Sequence, residues 1–124
     1  MPEPVATMVW FAVLVLAMQP TEPPAGSVMY VYDLHRDPIS MPAEMAQDVT
    51  AVWLDCEVHG WWSRWETPAD VVSETGDRGQ AQLAPIHAPT MALAGLDYQD
   101  EHDRLVWAIG MYERSQWAPW GCRP

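Results

Sequence analysis

The sequence predicts a small, mainly helical domain with a loop-rich centre and at most a short strand or hairpin. Two segments with apolar residues at helical spacing carry this reading, together with the glycine- and proline-punctuated stretch between them. At 124 residues the chain can bury one core and is too short for two. Its hydrophobic content of 49% sets it apart from chains too polar to fold.

The elements follow in chain order. The run VATMVWFAVLVLAM, Val5 to Met18, carries no charge and leads into the proline-rich QPTEPPAG, which cannot easily continue a helix. The run is short for a membrane span and suits the apolar centre of a secretion signal, although Glu3 precedes it and no Lys or Arg does. A signal or short anchor is one reading and a first core helix is another. Residues 1–26 are accordingly set apart as a hydrophobic segment with a linker, ahead of a domain over 27–124.

Within that domain VMYVYDL, Val28 to Leu34, reads as a short strand or an extended arm. In SMPAEMAQDVTAVWLDCE, Ser40 is positioned to cap a helix and Pro42 to occupy its first turn. Met45, Val49, Val52 and Cys56 then form one apolar stripe, which puts Cys56 on the buried side and Glu57 at the C-terminal end. A short helical turn is expected over Thr90 to Ala94, stopped by Gly95. A second long helix runs from about Asp100 to Arg114, with Leu105, Ile109 and Tyr112 on one face and Asp100 and Glu101 at the positive end of its dipole.

The formal net charge of -11 and the absence of lysine exclude the basic footprint that a phosphate backbone requires, so no nucleic-acid partner is expected. The four histidines, His35, His59, His87 and His102, show no paired ligand spacing, and the two cysteines cannot complete a zinc site alone. No metal or cofactor is expected. His87 reads as packing at a cleft edge after Pro85. Cys56 and Cys122 read either as a disulfide or as two separate buried thiols.

Glu57 is the candidate for acid chemistry. The negative end of the helix dipole and the apolar neighbours Val58, Trp61 and Trp62 both favour a protonated carboxyl, the form a general acid needs. The stretch SETGDRGQAQLAPIH, Ser73 to His87, adds a glycine-hinged turn followed by Gln82, which can both donate and accept hydrogen bonds. Asp77 in that turn is the favoured second carboxylate, ahead of Glu74, Asp70 and Glu66.

The segments CEVHG, ADVVSETGDRGQAQLAPIH and MYERSQWAPWGC together resemble the lysozyme-like superfamily, in particular small soluble-lytic-transglycosylase-like domains of bacteria and their phages. The resemblance covers about Ala43 to Cys122. It implies Glu57 as the catalytic acid, Gly60 as a turn glycine, and Gly79 and Gln82 as the cleft wall facing the acid, with Tyr112 as the aromatic that contacts substrate; His59, which has no counterpart in the family pattern, is a further candidate substrate contact or bonds local backbone. It also implies a Cys56–Cys122 disulfide that ties the catalytic helix to the tail. The chain departs from the family in carrying Val58 and His59 ahead of Gly60, Trp61, Trp62 and Trp65 in the loop, and Ala81 where a bulkier residue is usual. Of the loop indoles Trp61, Trp62, Trp65, Trp117 and Trp120, about two are expected to touch sugar.

The implied function is cleavage of the β-1,4 bond between N-acetylmuramic acid and N-acetylglucosamine in peptidoglycan strands, with the transglycosylase outcome preferred over hydrolysis. The alternative is a catalytically weak glycan-binding or virion-structural module that retains the fold. A monomer is expected, secreted or otherwise outside the cytoplasm, or associated with phage lysis, and touching membrane only through a possible N-terminal anchor.

Overall fold

In the computed structural model, which describes residues 24–59 and 67–124, the chain enters through a hairpin. Strand β1, Ser27–Tyr30, pairs antiparallel with β2, Ile39–Pro42, in a register that sets Ser27 against Pro42 and Tyr30 against Ile39. Alternation along β2 buries Ile39 and Met41 and turns Ser40 toward the opposite face, opposite Met29. Ser40 is therefore a strand residue and caps no helix. The N-cap is Pro42, which lacks a side-chain capping bond, while the Ala43 N–H donates to the Gly26 carbonyl at 2.9 Å. The apolar run from Val5 to Met18 lies outside the described residues.

Helix α1, Ala43–Val49, continues without a break into π-helical turns over Thr50–Glu57, closed by the Val58 N–H on the Trp53 carbonyl. Bonds from residue i to i+5 widen the turn, so each residue advances less around the axis than in an α-helix. The apolar stripe consequently shifts. Met45, Val49 and Val52 are buried as the spacing predicts, Trp53 joins them, and Cys56 rotates to an exposed position.

A short 3₁₀ turn at Pro68–Asp70 leads into a compact turn over residues 71–83, crossed by bridges from Arg78 to Val72 and to Leu83. A further 3₁₀ turn, Pro85–His87, runs into α2, Ala88–Leu93, which starts slightly earlier than the spacing predicts and ends ahead of Gly95. Helix α3, Glu101–Ser115, is capped by Asp100, whose side chain accepts the Asp103 N–H at 2.9 Å. Its Leu105, Ile109 and Tyr112 face the core as their spacing requires.

The main core lies between β2, α1 with its π-helical extension, and α3, and the C-terminal tail closes it. Trp53, Trp117 and Trp120 meet there, with ring centroids 5.4 to 6.1 Å apart and steeply inclined planes. Such edge-on aromatic pairs each contribute about 0.5–1.5 kcal/mol beyond their area burial. Trp117 and Trp120 are thus core residues, with 7% and 5% exposure. A smaller cluster of Leu83, Met91 and Tyr98 sits beneath α2. The described residues are mainly helical with one two-stranded antiparallel sheet, and none of their helices is long and apolar enough to cross a membrane.

Cys56 and Cys122 are disulfide-bonded, with Cα atoms 6.0 Å apart and a sequence separation of 66. Closing a loop of that length stabilises by about 4 kcal/mol through the lost entropy of the unfolded chain. Alkylation of the native, unreduced protein is expected to label neither cysteine, and reduction is expected to lower unfolding stability by about 2–4 kcal/mol. Labelling of both thiols without reductant contradicts the bond.

Candidate functional site

Glu57 ends the π-helical turns, half-buried, beside the disulfide. Its Oε1 accepts the backbone N–H of Cys122 at 3.1 Å. The covalent bond at Cys56 and this hydrogen bond at the next residue hold the helix end against the tail, and one carboxylate oxygen is fixed by the contact.

The turn over residues 71–83 supplies the opposite side. Ser73 organises it: its N–H donates to the Asp77 carbonyl at 2.9 Å, and its Oγ accepts the Asp77 N–H at 3.1 Å. Asp77 Oδ2 takes a bond from the Thr75 hydroxyl at 3.3 Å. Gln82 has φ 49° and turns its amide back, donating through Nε2 to the Gly79 carbonyl at 2.9 Å and the Val71 carbonyl at 3.4 Å. The Gln82 amide nitrogen therefore braces the turn.

Glu57, Asp77 and Gln82 line one pocket of about 180 Å³, together with Leu83, Ala84, His87, Met111 and the tail residues Pro119, Trp120 and Gly121. Three segments far apart in sequence meet there. The other residues named from the sequence do not join them. Tyr112 is 6% exposed and packs its ring 5.0 Å from that of Trp117, which makes it a core residue. His59 is exposed and does not line the pocket. Gly60, Trp61, Trp62 and Trp65 lie outside the described residues, as does Glu66.

Gly79 faces the other way. With φ +77° it adopts a backbone conformation that L side chains rarely take, and an added Cβ would collide with the carboxylate of Glu101, whose Cδ would stand 2.9 Å away. Glu101 is the residue that sequence reasoning missed. It is 7% exposed, accepts the Gln80 N–H at 3.2 Å, and pairs with the Arg104 Nε at 3.4 Å. Arg104 is itself anchored on the Tyr98 carbonyl at 2.6 Å and the Ala69 carbonyl at 3.3 Å. The Tyr30 hydroxyl donates to Gln80 Oε1, so the network reaches back to the hairpin. The Glu101 and Arg104 pair at i,i+3 was a readable signal, and the helix-dipole reading of the acidic N-terminus passed over it.

Burial pushes Glu101 up to about 7, against the opposing pull of Arg104 and the Gln80 N–H. Desolvation wins because the carboxylate has almost no water. Burial, aided by the nearby Glu101 charge, likewise pushes Tyr30 up to about 12. Burial and the Arg114 charge lower His87.

A larger cavity of about 310 Å³ opens between Tyr32–His35 and Thr67–Ala69, and a neighbouring one of about 200 Å³ reaches Glu101 and Arg104. Neither contains Glu57 or Asp77. Among the described residues, ligand atoms of Asp100, His102 and Asp103 lie within 4.8 Å of one another, but Asp100 caps α3 and pairs with Arg36, while Asp103 accepts the Asp97 N–H. These hydrogen bonds account for the cluster.

The sign of the Glu101 effect follows from its raised value. Stability contributed by this group is complete below its unfolded value of 4.5 and is lost as pH rises through about 7. Urea unfolding is expected to show a decline of up to about 3 kcal/mol between pH 4.5 and 8 that Glu101→Gln removes. Equal pH slopes in the two proteins contradict it. Gly79→Ala is expected to cost more than about 2 kcal/mol at neutral pH, measured the same way, because strain and collision add.

No family model, curated protein or solved structure matches this chain.

Proposed function

We propose that the protein is a lysozyme-like peptidoglycan-cleaving enzyme, a lytic transglycosylase or muramidase, acting on the β-1,4 bond between N-acetylmuramic acid and N-acetylglucosamine with Glu57 as general acid. The observation that carries this reading is the meeting of Glu57, Asp77 and Gln82 at one pocket from the helix end and the glycine-hinged turn. The Cys122 amide occupies Glu57 Oε1, which leaves Oε2 for proton transfer.

In the proposed reaction Glu57, protonated, donates to the glycosidic oxygen as the bond to the muramyl anomeric carbon breaks. The leaving sugar departs as a free alcohol. In the transglycosylase outcome the muramyl 6-hydroxyl attacks the anomeric carbon, and the Glu57 carboxylate takes its proton, giving a 1,6-anhydro product and restoring the acid. In the hydrolytic outcome water supplies the attacking oxygen, and Asp77 is the carboxylate available to activate it or to stabilise the positively charged transition state. Gln82, its amide nitrogen committed to the turn, keeps its carbonyl oxygen as an acceptor for a sugar hydroxyl or N-acetyl N–H. The disulfide fits an oxidising compartment outside the cytoplasm, where the wall lies.

Mass spectrometry of purified peptidoglycan after digestion tests the reading. Fragments lighter by one water than hydrolysis products identify the transglycosylase, and reducing-end products identify the muramidase. Glu57→Gln is expected to retain the fold and lower the rate at least about 100-fold, since its isosteric amide cannot supply the proton. Asp77→Asn separates the outcomes: a comparable loss is expected for the muramidase, and a loss of roughly tenfold or less for the transglycosylase. Binding to the wall without released fragments, or a Glu57→Gln rate within about threefold of wild type, removes the proposal.

A further inference from the structure

His87 lines the pocket that holds Glu57 and Asp77, and the proposed reaction gives it no part. It ends the 3₁₀ turn Pro85–His87, half-buried, with its ring tilted against Trp107 of α3 at a centroid distance of 6.2 Å. The Trp107 Nε1–H donates to His87 Nδ1 at 3.1 Å. An indole nitrogen is only ever a donor, so the imidazole nitrogen that meets it carries no proton. The proton of the neutral ring must then sit on the other nitrogen. Arg114 lies over the Trp107 ring, 5.8 Å from its centroid.

We propose that His87 is a ligand-contacting residue of the pocket, held by Trp107 as a neutral Nε2–H donor that bonds an uncharged carbonyl or hydroxyl oxygen of a bound N-acetylated sugar. The assignment of a sugar rests on the glycosidase reading, whereas the tautomer follows from the Trp107 contact alone. Doubly protonated imidazole would set an N–H against the indole N–H and break the contact, so the bond and the neutral ring support each other. Burial of the ring and the Arg114 charge act in the same direction, and the titratable groups that share the pocket with His87 are Glu57 and Asp77. The result is a donor without charge. Such a donor suits the uncharged acetamido and hydroxyl groups of a glycan, which offer acceptors in abundance. Trp107 touches no ligand in this account and acts as a positioning residue through His87.

Long-range proton–nitrogen NMR correlation on histidine-labelled protein reads the tautomer directly. At neutral pH the His87 signals are expected to show Nε2 protonated and Nδ1 bare, and Trp107→Phe is expected to relax that preference toward a mixture. Titration with the trimer of N-acetylglucosamine is expected to move the His87 Nε2 resonance. On peptidoglycan, His87→Phe, which keeps a ring and loses the donor, is expected to raise KM roughly two- to tenfold with kcat changed less than KM. A proton on Nδ1, or a Nε2 resonance unmoved by saturating trimer, overturns the inference whether or not the wall is cleaved. A wall left intact while His87 behaves as described removes the glycosidase reading alone.

Discussion

The pocket exists because the C-terminal tail is locked to the end of the helix that carries Glu57. Three interactions make that junction: the Cys56–Cys122 bond, the Cys122 N–H on the Glu57 carboxylate, and the packing of Trp117 and Trp120 on Trp53. Each reinforces the others. The indoles bury apolar area that the small domain needs, the disulfide limits the freedom the tail would regain on unfolding, and the hydrogen bond selects one orientation of the acid. Trp120 extends the lock further, donating through Nε1 to the Ala81 carbonyl at 2.9 Å and so tying the tail to the turn that carries Asp77 and Gln82. A largely buried indole thereby links the two sides of the pocket that it also lines.

The turn has a second support on its hidden side. Glu101 receives the Gln80 N–H beneath a glycine that leaves no room for a Cβ, and Arg104 anchors the carboxylate from the same helix. Burying a carboxylate is costly, and the raised value of Glu101 records that cost. The return is positional, since the backbone from Gly79 to Gln82 is held from below while Gln82 and Asp77 face the pocket above. The two carboxyl groups differ in environment: Glu101 is sealed between the Gln80 N–H and Arg104, while Glu57 stays half-exposed beside the pocket.

Much of this was legible from spacing. The stripe of α3 through Leu105, Ile109 and Tyr112 follows from helical periodicity, and the glycines of the turn announce the positive φ values found at Gly76 and Gly79. Other features escaped for identifiable reasons. Cys56 left the predicted stripe because π-helical turns change the angular step, and nothing in TAVWLDCE signals them. Ser40 resembled a cap, yet alternation of Ile39 and Met41 in a hairpin prevailed over local helix chemistry. Gly79 was read as part of the cleft wall facing Glu57, whereas its close neighbour is the carboxylate of Glu101. Tyr112 and Trp117 looked available for stacking on sugar, and the demand of a small core for large apolar side chains took both.

A crystal structure of the Glu57→Gln protein with a bound peptidoglycan tetrasaccharide tests the account most directly. The glycan is predicted to lie along the pocket between the helix end, the turn and the tail, with the scissile oxygen within about 2.6–3.2 Å of the residue 57 amide. A glycan seated instead between Tyr32–His35 and Thr67–Ala69, away from Glu57 and Asp77, would contradict it.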